Sequence, residues 1–216
     1  SLRRSGCGLR QRRPPQPGPL CPPGSLRLLA VTRVGAVLMA AGSARRFGRN
    51  KLLYPIDGIP LIERTMAALP ASLFSRAVVV SAYPDILSRA AERGYLPVEN
   101  TVSAEGQAAS VRLGLAALGE MDAALFAVCD QPHLTTNSII RLINSFLDSP
   151  DHICALSWQG RRGNPVIFPA SCFSELAALT GDVGGGSVIR AHPSLLRLVE
   201  AASPDELRDI DTPADL

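Results

Sequence analysis

The chain has 216 residues, and 46% of them are hydrophobic, which is enough for one sizeable globular core. No apolar run approaches the roughly 20 residues of a membrane-spanning helix, so we expect no membrane association. The net charge of +3 is uneven, because residues 1–33 carry seven arginines and no acid. Residues 34–216 keep 15 basic and 19 acidic residues, a net charge of −4, which does not favour a nucleic-acid partner.

Residues 1–33 also contain six prolines and four glycines and show no apolar periodicity. This composition predicts a disordered, basic, proline-rich extension before a single domain at 34–216. An organelle transit peptide is one alternative, because the segment is rich in arginine and free of acid, but its serines are few. The composition favours a non-conserved extension or an over-long gene start. The five cysteines form no CxxC pair, and their odd number indicates reduced, buried thiols in a cytoplasmic protein.

From Val34 onward, short apolar runs alternate with segments of helical spacing. The apolar runs predict strands at 34–40, 77–81, 123–129, 152–157, 164–168 and 195–201. The helical spacing predicts helices at 60–69, 84–93, 106–118, 136–148 and 171–179. This alternation predicts a single-domain, three-layer α/β/α fold with a mostly parallel open sheet. Pro165 predicts that the strand at 164–168 lies at an edge or opens with that residue.

Ligands of such sheets bind at the carboxyl ends of the strands, which draws attention to Ala40–Lys51 after the first strand. Its small residues allow close approach to the backbone, and Arg45, Arg46 and Lys51 add positive charge. The alternative is an ordinary glycine turn with solvated arginines. Lys51 is the only lysine among 22 basic residues, and its compact point charge favours a phosphate contact.

Asp130 directly follows the apolar strand at 123–129, where its carboxylate would reach the same crevice. Mg²⁺ typically takes one or two carboxylates together with substrate phosphates, so Asp130 is a candidate ligand. The alternative is a turn cap beside the following proline. Asp211, and less favourably Asp209, is a candidate second ligand. No nucleophile motif is evident, which fits a reaction that needs only positioned phosphates and a metal ion.

These residues resemble the molybdopterin-type nucleotidyltransferases, a branch of the nucleotide-diphospho-sugar transferase fold. The resemblance covers nearly all of 34–216 and follows motifs in the family's order: the turn at 39–51, N-x(5)-G-x(3)-S-x(3)-G at 100–114, CDQP at 129–132, GNPVIF at 163–168, GDVGG at 181–185 and DIDTPADL at 209–216. Two positions depart from the family pattern. Ala44 stands where the family has serine, and Gly186 where it often has an arginine.

The resemblance implies a Mg²⁺-dependent transfer of CMP from CTP to the terminal phosphate of molybdopterin, with release of pyrophosphate. Ala40-Ala41 together with CDQP favours CTP over GTP, since the guanylyl branch usually begins its turn with two glycines. The implied product recipient is a molybdoenzyme or its maturation chaperone. The implied site residues are Arg46, Lys51 and Asp130 for catalysis, Ala40, Ala41, Gly42, Ser81 and Ser110 for the nucleotide, Asp130 and Asp211 for the metal, and Asn164, Pro165 and Asp182 on the pterin side.

Three other functions remain open at this point. The same fold could transfer a nucleotide to a sugar phosphate or another small phosphorylated acceptor. A non-catalytic protein could bind and deliver the cofactor without turnover. A small oxidoreductase is disfavoured, because Gly42-Ser43-Ala44 lacks the second glycine of a dinucleotide fingerprint.

Overall fold

The computed structural model describes residues 32–41, 50–210 and 212. The predicted extension up to residue 31 lies outside the described residues. Three predicted site residues, Gly42, Arg46 and Asp211, also lie outside them.

The sheet has seven strands and is mostly parallel. Within residues 32–41, 50–210 and 212 there are nine strands: β1 (Val34–Met39), β2 (Pro55–Ile56), β3 (Ile59–Pro60), β4 (Arg76–Ser81), β5 (Leu96–Glu99), β6 (Ala123–Val128), β7 (Ile153–Trp158), β8 (Arg161–Pro169) and β9 (Leu196–Glu200). The main sheet has the order β5-β4-β1-β6-β8-β7-β9, and β8 alone runs antiparallel to its neighbours. Strands β2 and β3 form a separate small hairpin.

In the described part of the chain, six helices cover the two faces of this sheet: α1 (Leu61–Ala68), α2 (Pro84–Glu92), α3 (Gln107–Leu118), α4 (Thr136–Leu147), α5 (Phe173–Ala177) and α6 (Gly186–Ala191). Side chains alternate along each strand, so neighbouring residues enter opposite layers. Leu38 packs with α1, α2 and α4, whereas Val37 packs with α3, α5 and α6. The three-layer α/β/α prediction is therefore confirmed.

Every predicted strand and helix is present, with ends that differ by three residues or fewer. The hairpin at 55–60, strand β5 and helix α6 were not predicted. Strand β5 contains a proline and lies exposed at the sheet edge, so it lacks an apolar signal. Helix α6 begins within a run of three glycines, which obscures helical spacing.

The prediction for Pro165 was wrong, because β8 lies between β6 and β7 and Pro165 lies in its interior. The pairing of β7 with β8 shifts register between Ala155 and Ser157. The pairing of β6 with β8 involves only residues 166–169 of β8. Neither ladder pairs with Pro165, so its missing N–H leaves no ladder hydrogen bond unmade.

Cys129, Cys154 and Cys172 are buried and free, as predicted for the body of the chain. Burial raises the pKa of the Cys129 thiol far above its ordinary value, and the neighbouring Asp130 charge adds to this. The thiol is therefore neutral and is not a nucleophile. Within the described ranges, no helix has both the length and the apolar character needed to span a bilayer.

Candidate active site

A cleft of about 910 Å³ opens where β1 and β6 end, and we call it the large cleft. Its walls come from the ends of both strands, the segment at 103–107 and the loop at 181–182. Ala41, Lys51, Ser110, Asp130 and Asp182 all line it. Five of the predicted site residues therefore meet in one concave space at the carboxyl edge of the sheet.

Lys51 is held in place by its neighbours. The Asn50 side chain accepts a hydrogen bond of 3.1 Å from the Leu52 N–H and starts a short 3₁₀ turn at Lys51–Leu53. Leu52 is buried and fixes this turn in the core. The Lys51 Nζ donates to Asp130 Oδ2 at 2.8 Å and to the Ile210 carbonyl at 3.0 Å. These two bonds fix the ammonium group beside the carboxyl end of β6.

Asp130 presents one occupied and one open carboxylate oxygen. Its Oδ2 accepts from Lys51, whereas its buried Oδ1 has no hydrogen-bond partner in the described part of the chain. The Asp130 carbonyl also accepts a 2.9 Å hydrogen bond from the Ile210 N–H. A buried carboxylate oxygen without a donor costs free energy unless a cation or a donor joins it.

This donor set fits a magnesium ion that is bound mainly through substrate. Among residues 32–41, 50–210 and 212, no three His, Cys, Asp or Glu side chains are grouped to hold a metal. A complete protein cage is therefore absent from this part of the chain. Mg²⁺ often needs only one or two carboxylates in addition to phosphates and waters, so Asp130 Oδ1 is a suitable ligand.

Residues 206–210 of the C-terminal segment pack against the loop that follows β6. Gln131 is buried, and its Nε2 donates to Asp209 Oδ1 at 2.9 Å. Glu206 is also buried and accepts from the Thr135 N–H at 3.2 Å and from its hydroxyl at 3.0 Å. These bonds hold the segment beside Asp130. Asp209, the less favoured candidate for the second metal ligand, therefore anchors the segment through Gln131. Asp211, the favoured candidate, lies outside the described residues.

Ser81, Asn100 and Ser110 form a buried polar group behind the cleft wall. The Ser81 hydroxyl donates to the Ala40 carbonyl at 3.0 Å and accepts from the Tyr83 N–H at 3.1 Å. The Asn100 Nδ2 donates to the Ser110 hydroxyl at 3.0 Å. Ser81 is fully buried, so its observed contacts position the end of β1, and direct contact with a nucleotide stays a prediction.

The two alanines after β1 differ in exposure. Ala40 is fully buried, and its N–H donates to the Val80 carbonyl at 2.8 Å, which extends the pairing of β1 with β4. Ala41 lines the large cleft. The backbone at Ala41 is therefore accessible to a ligand, whereas Ala40 supports it from the core.

A second cavity of about 330 Å³ adjoins the large cleft, and we call it the small cavity. Met39, Gln107 and Asp182 line both spaces, so the two spaces are direct neighbours. Of the residues predicted for the pterin side, Asn164 and Asp182 line the small cavity, whereas Pro165 does not.

Gly106 lines the large cleft directly before α3. Its φ of +90° favours glycine, and a Cβ atom there would lie 2.7 Å from the backbone N and Cα of Asp182. The Gln107 N–H donates to Asp182 Oδ1 at 3.2 Å, and the Ala108 N–H donates to the Gly181 carbonyl at 3.2 Å. The loop at 181–182 therefore packs directly on the first turn of α3.

Sequence reasoning did not single out four residues that line these spaces: Tyr83, Gln107, Arg162 and Arg190. Tyr83 follows the end of β4, so its position at a strand end was a usable signal. Arg162 and Arg190 had no such signal, because they belong to an antiparallel strand and to the unpredicted helix α6.

An open, mostly parallel sheet with a polar cleft at its carboxyl edge is the arrangement in which α/β enzymes bind nucleotides and other ligands. Residues 36–196 match the MobA-like NTP transferase domain. The chain belongs to this family and is a nucleotidyltransferase.

Curated relatives match most of the chain. Nicotine blue oxidoreductase of Paenarthrobacter nicotinovorans is 28% identical over 190 residues, which cover 83% of this chain and 92% of that protein. Purine catabolism protein PucB of Bacillus subtilis (strain 168) is 26% identical over 191 residues, with the same 83% and 92% coverage. Molybdenum cofactor guanylyltransferase of Rhodobacter capsulatus is 29% identical over 194 residues, covering 85% and 93%.

Solved structures share the fold at low identity. Rv0371c from Mycobacterium tuberculosis H37Rv has a TM-score of 0.70 at 24% identity and covers 85% of this chain and 95% of that chain. Its complex with manganese has a TM-score of 0.69 at 23% identity, covering 85% and 96%. A CMP:2-keto-3-deoxy-manno-octonic acid synthetase complexed with CTP has a TM-score of 0.66 at 14% identity, covering 85% and 95%. These likenesses establish the nucleotide-diphospho-sugar transferase fold.

Proposed function

We propose that this protein transfers CMP from CTP to the terminal phosphate of a molybdopterin-type acceptor and releases pyrophosphate. One observation carries the proposal: Lys51 Nζ is 2.8 Å from Asp130 Oδ2, while the buried Asp130 Oδ1 has no donor in the described residues. A fixed ammonium beside an open carboxylate oxygen suits a nucleoside triphosphate that arrives with a divalent cation.

In the proposed reaction, an oxygen of the acceptor phosphate attacks the α-phosphorus of CTP. A new phosphorus–oxygen bond forms as the bond to the β-phosphate oxygen breaks, and the electron pair leaves with pyrophosphate. Lys51 compensates the negative charge of the triphosphate and of the leaving group. Asp130 and Asp211 would hold Mg²⁺, which when bound neutralises charge on the phosphate oxygens.

The other predicted phosphate-binding residues, Arg46 and Gly42, lie outside the described residues. Arg46 would add a second cation at the phosphates, and the backbone near Gly42 would donate N–H groups to them. The sequence Ala40-Gly42 provides small residues for this approach, and Ala41 lines the large cleft. Ser110 lies in the same wall and would face the base.

The choice of acceptor is supported by the small cavity next to the large cleft. Asn164 and Asp182 line it, and Asp182 also lines the large cleft, so an acceptor placed in the small cavity would lie next to the nucleotide. A relative named molybdenum cofactor guanylyltransferase supports a molybdopterin-type acceptor. We further propose that the product goes to a molybdoenzyme or its maturation chaperone in the cytoplasm, which the three free buried cysteines support.

GTP is the second candidate nucleotide. The relatives from Rhodobacter capsulatus and Cupriavidus metallidurans (strain CH34) are both named guanylyltransferases. The observation that favours CTP is the turn at 40–41, where two alanines replace the two glycines that are usual in the guanylyl branch.

A radiolabel-transfer assay tests the proposal. CTP, GTP and ATP labelled at the α-phosphate are each incubated with Mg²⁺ and either molybdopterin or a panel of sugar phosphates. We expect label in molybdopterin from CTP, in equal amount to the pyrophosphate released. If only a sugar phosphate became labelled, the proposed acceptor would be wrong. If label were transferred only from GTP, the proposed nucleotide would be wrong. Tight molybdopterin binding without any transfer would instead indicate a cofactor-binding protein.

A further inference from the structure

Two arginines at the small cavity have charges that the described protein does not balance. Arg162 lies near the start of β8 and Arg190 lies in the last turn of α6, and both line the small cavity. Neither guanidinium group has a hydrogen bond or an ion pair to any residue in 32–41, 50–210 or 212. In contrast, Arg89 and Arg112 each pair with a glutamate, at 3.1 Å and 2.8 Å respectively.

The two guanidinium groups converge on Gly186. A Cβ atom built on this glycine would lie 3.5 Å from Arg162 Nη2 and 3.6 Å from Arg190 Nη1. The two nitrogens are therefore separated by no more than the total of those two distances. Hydrogen bonds of about 2.8 Å to two oxygens of one phosphate or carboxylate can bridge such a gap. Both side chains are exposed, so water screens their mutual repulsion, and an anion placed between them would contact both guanidinium groups.

The remaining walls of the small cavity give the rest of a ligand site. Phe126, Phe168 and Leu176 line it with apolar surface. Asp182 is its one acidic residue among the described lining, and Asp182 Oδ1 accepts from the Gln107 N–H on the side of α3. The charged lining is therefore net positive, and the positive charge is concentrated at Gly186.

We infer that Arg162 and Arg190 bind an anionic group, a phosphate or a carboxylate, of the acceptor molecule. The inference rests on the proposed function and narrows its acceptor to compact molecules with an apolar or flat body and an anionic group. Isolated arginines on a surface are usually solvated. Arg162 and Arg190 come from separate elements, and both guanidinium groups lie close to Gly186. They also line a concave space with apolar walls, and this arrangement is typical of an anion-binding pocket.

Binding of small probes tests this inference without any turnover. Phenyl phosphate, benzoate and phenol are titrated by calorimetry into the full chain, into Arg162→Gln, into Arg190→Gln and into the double variant. We expect phenyl phosphate or benzoate, but not phenol, to bind the wild type. Each single variant should weaken that binding about tenfold and the double variant about a hundredfold. The stronger of the two probes identifies phosphate or carboxylate as the preferred group.

Two further variants separate this site from other cations. Arg197→Gln removes an exposed arginine from the edge strand β9 and should leave probe affinity within about twofold. Lys51→Ala removes the cation of the large cleft and should also leave it within about twofold. Thermal unfolding of all variants close to that of the wild type confirms that they fold.

The inference is overturned if neither anionic probe binds the wild type, or if the double variant binds them as well as the wild type does. It is also overturned if Lys51→Ala, rather than the arginine variants, abolishes binding. A parallel titration with CTP and GTP reports on the proposed function itself. If neither nucleotide binds the wild type, the proposed function fails, whatever the result with phenyl phosphate.

Discussion

The large cleft and the small cavity differ in how their charges are balanced. In the large cleft, Lys51 is paired with Asp130, and both are fixed by bonds to the backbone of Ile210. In the small cavity, Arg162 and Arg190 have no such partners among the described residues. The large cleft is therefore organised before any ligand binds, whereas the small cavity has positive charge for a ligand to neutralise. This difference suits a site for a metal-bound triphosphate beside a site for an anionic acceptor.

The largest expected effect is that of Asp130→Asn, which tests whether the large cleft needs its carboxylate for catalysis. The open Oδ1 would lose its charge, so we expect Mg²⁺-dependent transfer to fall about a thousandfold. The amide oxygen can still accept from Lys51, so the free energy of unfolding should fall by no more than about 2 kcal/mol. Steady-state rates and thermal unfolding measure the two quantities.

Asp151→Asn is the matched control, because Asp151 is exposed in a turn before β7. It should leave both the rate and the melting temperature close to wild-type values. A large loss of thermal stability in Asp130→Asn, with substantial activity remaining, would show that Asp130 is a structural cap. The large cleft would then not be a preorganised catalytic site that differs from the small cavity.

Lys51→Arg should have the second largest effect. The Lys51 ammonium donates in two directions, to Asp130 Oδ2 and to the Ile210 carbonyl, from a side chain that is 15% exposed. A planar guanidinium cannot place a single charge at the same point, so we expect the transfer rate to fall roughly ten- to a hundredfold. Circular dichroism should show an unchanged fold.

The reverse exchange, Arg197→Lys on the exposed edge strand β9, controls for the change of side-chain type and should have no effect. Wild-type turnover in Lys51→Arg would contradict the role given to the point charge. It would also mean that the large cleft accepts a guanidinium group as readily as an ammonium group. The two sites would then not differ in the type of cation that they require.

Gly106→Ala should have a smaller effect on catalysis but a measurable one on stability, because Gly106 packs on the loop that contributes Asp182 to both sites. The new methyl group would collide with the Asp182 backbone in addition to the left-handed strain at φ +90°. We expect the free energy of unfolding to fall by about 3 kcal/mol, measured by urea denaturation.

Gly58→Ala separates the two causes, since Gly58 has φ +80° but nothing within 4 Å of the added methyl. It should lose only about 1 kcal/mol, which is the backbone strain alone. Equal losses in the two variants would mean that the loop at 181–182 does not pack on α3 as described.

The sequence predicts the large cleft far better than the small cavity, and the reason is geometric. Lys51 and Asp130 each follow a regular apolar strand, and parallel strands bring such ends together at one edge. Arg162 and Arg190 lie 28 positions apart, on an antiparallel strand and on a helix that follows three glycines. Their convergence on Gly186 depends on how β8 and α6 pack, which no local spacing encodes.

The same limit applies to buried polar groups. The position of Ser81 at the end of β4 could be predicted, but its hydrogen bond to the Ala40 carbonyl could not. That bond depends on the register of β1 against β4, and a change of one residue would turn the hydroxyl to the other face. Predicting that a residue lies at a strand end is therefore easier than predicting what its side chain contacts.

The division of labour between the two sites is tested most directly by initial rates measured with both CTP and molybdopterin varied. The measurement compares the wild type, Lys51→Arg and the variant with both Arg162→Gln and Arg190→Gln. We predict that the double arginine variant raises the KM for the acceptor about a hundredfold and leaves the KM for CTP within about twofold. Lys51→Arg should instead impair the rate at saturating acceptor. An equal rise of both KM values in the double arginine variant would contradict the account, because the small cavity would then bind the nucleotide as well.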